Sequence, residues 1–167
     1  MKKGVVGAEH RFMFDPFIDP FDMLGLERRY DLDPTLLETH YFAAQRKTHP
    51  DLLGACSEAQ KAVAHQKSSV INQAYVTLKD PLGRAGVLLA AAGIAPLTHD
   101  AETLERAMTW NEQRAMGIDI TEELVQTEQQ LYKDLDRAFT AKDYEKARIA
   151  LYKLTYVRKI LQTLKED

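Results

Sequence analysis

Cysteine is almost missing: Cys56 is the only one in 167 residues. No disulfide framework and no Cys-x-x-Cys zinc clamp can form within the chain. That favours a reducing compartment. An excess of positive charge is also missing. The formal net charge is −3 and no long basic run occurs, so the basic stripe of a nucleic-acid module is absent and no nucleic-acid partner is expected. Long apolar runs are lacking as well: nothing approaches the roughly 18 continuous residues that a membrane span requires. The first 14 residues carry Lys2 and Lys3 but neither the apolar core of a signal peptide nor the arginine and serine of a transit peptide. They are expected to be a flexible tail, and the protein is expected to be cytoplasmic with no membrane partner.

Catalytic signatures are missing too. No Gly-rich phosphate loop or nucleophile elbow occurs. His10, His40, His49, His65 and His99 are scattered, with no pair at i and i+4, so neither a metal site nor a cofactor is expected. Glu122-Glu123 suits helix-end electrostatics better than acid/base chemistry. The chain is not expected to be an enzyme.

What is present is helix. No run alternates with period two. Asp19-Pro20, Asp33-Pro34 and Asp80-Pro81 each place a capping side chain before a first-turn proline. Gly25 ends the first, short helix. Leu37, Tyr41 and Ala44 stripe the second, which His49-Pro50 stops, because a residue before proline avoids the α region. Ser57-x-x-Gln60 is a capping box opening a third helix with Val63, Val70, Ala74 and Leu78 on one face and Ile71 and Tyr75 beside them. Helices two and three should pair antiparallel, with the short helix across them. Leu82 to Ala92 is a small-residue helix suited to close packing on what precedes it.

Three more helices are expected. Ala101 to Met116 would present Leu104, Ala107, Met108, Asn111 and Ala115, with Trp110 partly buried at the edge. Thr121 would cap the next, striped by Leu124, Leu131, Leu135 and Ala138. Asp143 would cap the last, which carries Ala147, Leu151, Leu154, Leu161 and Leu164. Short connections between amphipathic helices imply an antiparallel three-helix bundle.

His49-Pro50-Asp51 lies between the two long helices of the hairpin. Alone, the triplet is a helix stop as readily as a site. Its setting is more specific: Asp19-Pro20-Phe21-Asp22-Met23-Leu24-Gly25-Leu26 before it, and Ile71-Asn72-Gln73-Ala74-Tyr75-Val76-Thr77-Leu78-Lys79-Asp80-Pro81 after it. Together these resemble the J-domain, the module that activates DnaK-type chaperones. Pro81-Leu82-Gly83-Arg84-Ala85-Gly86-Val87-Leu88-Leu89 then resembles the join to the helical bundle in the HscB family, the J-type co-chaperones of iron–sulfur cluster assembly. Lys153-Leu154-Thr155-Tyr156-Val157-Arg158-Lys159-Ile160 is similar to that family's last helix. The Gly/Phe-rich linker that follows ordinary J-domains is absent.

The resemblance implies an all-α fold. Its parts would be a tail over 1–14, a J-domain over 15–80, a connecting helix and loop over 81–96, and a client-binding bundle over 97–167. It implies that His49, Pro50 and Asp51, with Arg46 and Lys47 adding positive charge, engage the ATPase domain of a DnaK/HscA-type chaperone and promote ATP hydrolysis there. It places the site for an iron–sulfur cluster scaffold protein (IscU-like) at Leu104, Met108, Glu112 and Tyr156. Leu104 and Met108 would serve equally as bundle core. A monomer or weak self-association is expected. Other readings of the chain are a J-domain protein with a different client, or a helical interaction protein whose triplet is inert. Leu52 follows the triplet where many J-domains have a basic residue.

Overall fold

The computed structural model describes residues 19–48 and 57–166. Among them are seven helices and no strand: α1 Pro20–Leu24, α2 Pro34–Thr48, α3 Glu58–Lys79, α4 Pro81–Ala91, α5 Ala101–Ala115, α6 Thr121–Thr140 and α7 Tyr144–Glu166. The expected tail, residues 1–14, lies outside the described residues.

Local chemistry sets most boundaries. Asp19 accepts the Phe21 backbone N–H at 2.8 Å, and Gly25 closes α1 in the left-handed region at φ 65°. Asp33 accepts the Thr35 N–H at 2.8 Å. Both halves of the Ser57/Gln60 capping box are made. Asp143 accepts the Lys146 N–H at 3.1 Å. Thr121 is not a cap: it is the first residue of α6, and Asp119 accepts its N–H at 2.9 Å. Asp100 caps α5 through the Thr103 N–H at 3.0 Å.

α2 and α3 pair antiparallel, and α1 lies across them, mostly on α3. Phe21 and Leu78 are wholly buried in this unit, with Leu24, Leu37, Ile71 and Ala74 around them. Each large apolar side chain so buried contributes about 1.5–3 kcal/mol. The α3 face is turned relative to expectation. Ala64, Ile71, Ala74, Thr77 and Leu78 point inward, whereas Val63 is 50% exposed and Val70 only half-buried. Val63 lies at the end of α2, where it lines an open groove with Lys47 and Thr48.

In the second unit α6 and α7 form the tightest pair, and α5 leans on α7. α4 packs on α3 and also on α7, so it belongs to both units. Because α4, α5 and α6 all contact α7, its buried face is wide: Ala147, Ala150, Leu154, Val157, Ile160 and Leu161. The stripe expected from the sequence omits three of these, Ala150, Val157 and Ile160. On α5 the buried residues are Thr103, Ala107 and Trp110, about a quarter turn from the expected stripe at 100° per residue. Trp110 is core at 4% exposure, not an edge residue.

Candidate functional site

The two ends of the molecule that the sequence singled out are built differently. At the hairpin, the core thins toward residues 49–56. Hydrogen bonds replace it. Tyr41 donates to Asn72 Oδ1 at 2.6 Å, and its ring stacks on Tyr75 at 4.3 Å. Gln45 donates to Asn72 Oδ1 at 2.9 Å and to the Ser68 carbonyl at 3.3 Å, while the Ser68 hydroxyl donates back to Gln45 Oε1 at 2.7 Å. These partners, 41 with 72 and 45 with 68, register the second half of α2 against the middle of α3. His40 adds a brace, its Nδ1 donating to the free Leu24 carbonyl at the end of α1 at 2.7 Å.

His49, Pro50 and Asp51 lie outside the described residues. Arg46 and Lys47 are exposed in the last turn of α2, where cations complement the helix dipole. Lys47 and Lys67 flank a groove of about 340 Å³ floored by Ala59, Val63 and Ala64. This end of the hairpin therefore offers positive charge on solvated side chains, a surface suited to orienting a transient encounter with an acidic partner.

At the bundle, Leu104 is half-buried, Met108 is 64% exposed and Glu112 is exposed. They follow one another at four-residue spacing on the flank of α5, beside the buried stripe. Met116 and Ile118, 77% and 50% exposed, extend the apolar surface past the end of the helix. Tyr156 is half-buried on α7. It lines a groove of about 410 Å³ with Leu89, Pro96, Leu97, Leu151, Tyr152 and Lys159, and none of Leu104, Met108 and Glu112 lines that groove. The hydroxyls of Tyr152 and Tyr156 are 3.3 Å apart. α5 is held by a clamp that the sequence did not reveal: Glu123 Oε1 accepts the Trp110 indole N–H at 2.9 Å and also the Arg106 guanidinium, which sits over the Trp110 ring.

Between the two ends lies a polar joint. Asp80 closes α3 and caps α4 through the Gly83 N–H at 3.3 Å; its other oxygen takes Arg158 of α7 at 2.6 Å. Arg158 also faces Glu128 at 3.9 Å. Burial opposes the Arg158 charge, yet the hydrogen bond and charge of Asp80 leave its pKa raised. Arg84 of α4 donates to the carbonyls of Leu78, at 2.9 Å, and Tyr30, at 2.7 Å, and lies over the Tyr30 ring. Burial lowers its pKa. The Tyr30 ring stacks on Phe139 at 5.0 Å, and burial pushes the Tyr30 phenol up to about 12. No local signal in the sequence links residue 80 to 158 or 30 to 139.

Among the described residues no cluster of three or more His, Cys, Asp or Glu side chains suits a metal ion. No helix among them is long and apolar enough to cross a membrane.

Comparison with known proteins adds the following. A family model described as the HSCB C-terminal oligomerisation domain matches residues 99–165. A Vibrio cholerae protein named co-chaperone protein HscB homolog is 40% identical over 93 residues, 56% of this chain and 54% of that relative. The match thus spans about half the length of that bacterial relative. The mouse iron-sulfur cluster co-chaperone protein HscB is 31% identical over 162 residues, 90% of this chain and 69% of that one. The solved structure of chaperone HscB from Vibrio cholerae superposes with a TM-score of 0.76 at 26% identity, covering 89% of this chain and 96% of that one. The crystal structure of human co-chaperone protein HscB gives 0.80 at 28% identity, covering 90% and 82%.

Proposed function

The chain belongs to the HscB family of co-chaperones, and on that premise we propose that it brings an iron–sulfur cluster scaffold protein to a DnaK/HscA-type chaperone and stimulates ATP hydrolysis there. The observation that carries this reading is an arrangement. A registered α2–α3 hairpin is closed by the segment holding His49-Pro50-Asp51, and it is joined without a flexible linker to a bundle of the HscB type. The protein itself performs no bond-making step. It acts in the cytoplasm as a coupler, binding two partners and biasing one through the other.

In this reading the J-domain spans 15–80, the connecting segment 81–96 and the client-binding bundle 97–167. His49, Pro50 and Asp51 contact the ATPase domain of the chaperone. Asp51 offers a carboxylate to an arginine or to backbone donors, and Arg46 and Lys47 steer the approach. Contacts of that kind raise the on-rate without locking the complex, which suits a co-chaperone that must leave after hydrolysis. The scaffold protein docks on the α5 flank. Met108 there is flexible and exposed, Leu104 and Glu112 lie either side of it, and Tyr156 contributes from α7. A methionine-bearing surface adapts to a partner's shape.

Titration calorimetry with the scaffold protein tests the client. Binding is expected, weakened about tenfold by Met108→Ala, about 1.4 kcal/mol. No heat of binding, alongside intact ATPase stimulation, would point to a J-domain protein with a different client.

A further inference from the structure

The groove that holds Tyr156 has one kind of polar chemistry along its whole length. Its apolar wall is Leu89 of α4 with Pro96 and Leu97 of the segment before α5, and Leu151 of α7 adds to it. The α7 residues that line it run from Arg148 to Lys159, and no Asp or Glu is among the described residues of the lining.

The two cations are eleven residues apart on one helix. At about 100° and 1.5 Å per residue they share a face and stand roughly 16 Å apart. Between them Tyr152 and Tyr156 share one hydrogen bond at 3.3 Å, so one of their two phenolic protons is left for a third group. Arg148 is held at Nη2 by Glu145 at 2.6 Å, while its Nε–H is buried with no acceptor. A buried donor without a partner costs free energy. Turning this guanidinium toward a carboxylate in the groove gives up no hydrogen bond at Nε and gains a charge-assisted one.

The spacing selects the ligand. A single phosphate or a short dicarboxylate cannot reach two cations roughly 16 Å apart. An extended peptide can. Residues i and i+4 of a strand lie about 13 Å apart on one face, with residue i+2 between them, and long side chains span the remainder. Acidic residues at i and i+4 then meet Arg148 and Lys159, and an apolar residue at i+2 meets Leu97 and Leu151.

We propose that this groove is a binding site for an extended acidic segment of a partner protein, with an acidic residue at each end and an apolar residue midway. The site goes beyond the proposed function, which uses only Tyr156 among its residues.

The test is an NMR titration of the full, isotope-labelled chain. The probe is the acetylated and amidated peptide Glu-Thr-Leu-Thr-Glu, with Gln-Thr-Leu-Thr-Gln and Lys-Thr-Leu-Thr-Lys as controls. The unaltered chain is compared with Arg148→Gln/Lys159→Gln, and helicity is measured on both.

Saturable shifts are expected at the amides around Leu97 and from Arg148 to Lys159. The glutamine peptide and the glutamine variant each weaken binding at least about fivefold, as the loss of two partly exposed ion pairs implies, and the lysine peptide does not bind. No saturable shift at millimolar peptide overturns the site. Equal affinity for the acidic and glutamine peptides overturns its preference for acidic segments. Shifts centred on Leu104 and Met108 put the peptide on the α5 flank and overturn the groove as its seat. Should the variant lose helicity, the three peptides on the unaltered chain decide. None of these outcomes depends on a chaperone or a scaffold protein.

Discussion

At the scale of single residues, the side chains with two partners organise the molecule. Asp80 caps α4 with one oxygen and holds Arg158 with the other. Glu123 joins Trp110 and Arg106 on one oxygen. Trp110→Phe keeps most of the buried area but leaves Glu123 one donor short, and a loss of about 1–2 kcal/mol in urea unfolding is expected. Asp100 gives a pH signature. Its hydrogen bonds with the Thr103 hydroxyl and then the Thr103 N–H hold its pKa below the ordinary aspartate value. A depressed folded-state pKa means the contribution is complete above the unfolded value near pH 4 and is lost as pH falls through the folded one. Asp100→Asn should therefore narrow the stability gap from the unaltered chain as pH drops from about 5 to 2, measured as urea midpoints; a gap constant over that range would contradict the assignment. Residues of this kind were only half legible beforehand. Asp80 read as a cap because capping is local, but its bond to Arg158 spans 78 positions and has no sequence signal.

At the scale of elements, the helices were legible where local chemistry places them. Asp19, Asp33, Ser57, Asp80 and Asp143 all do the capping their neighbours implied. Faces were less legible, because a face is chosen by what packs on it. Thr103 and Trp110 carry polar atoms, yet both are buried in the core face of α5, Thr103 bonded to Asp100 and Trp110 to Glu123. Met108 is apolar and stays outside. α4 is the element whose role the sequence conceals most, since its contact with α7 is as extensive as its contact with α3. Gly83→Ala is the sharp probe of that packing. In an ordinary helix the change gains up to about 1 kcal/mol. Here the new Cβ meets the Thr77 backbone, and a loss of about 1–3 kcal/mol is expected from overpacking; a gain in the thermal midpoint would show that α3 and α4 are free to move apart. The hairpin gives a second probe. Gln45→Ala removes three hydrogen bonds around Ser68 and Asn72. It should speed amide exchange in the last turn of α2 and the first turns of α3, while the α6–α7 pair is unaffected.

At the scale of the whole molecule, one continuous apolar core runs from the hairpin unit through α4 into the bundle. The charged end of the hairpin at Arg46 and Lys47, the flank of α5 at Leu104, Met108 and Glu112, and the joint at Asp80 lie on different elements. The fold class was legible because caps, stripes and short connections all agreed. The exposure of Met108 is not legible in the sequence, because an exposed methionine and a core methionine have the same sequence pattern. The central claim is that His49-Pro50-Asp51 acts on a chaperone ATPase. It is tested most directly by single-turnover ATP hydrolysis on a DnaK/HscA-type chaperone in the presence of this protein or its His49→Gln variant, with helicity and scaffold binding measured on both. Stimulation by the unaltered chain, and its loss in a variant that keeps helicity and scaffold affinity, is the predicted result. Equal stimulation by the two proteins would contradict the account.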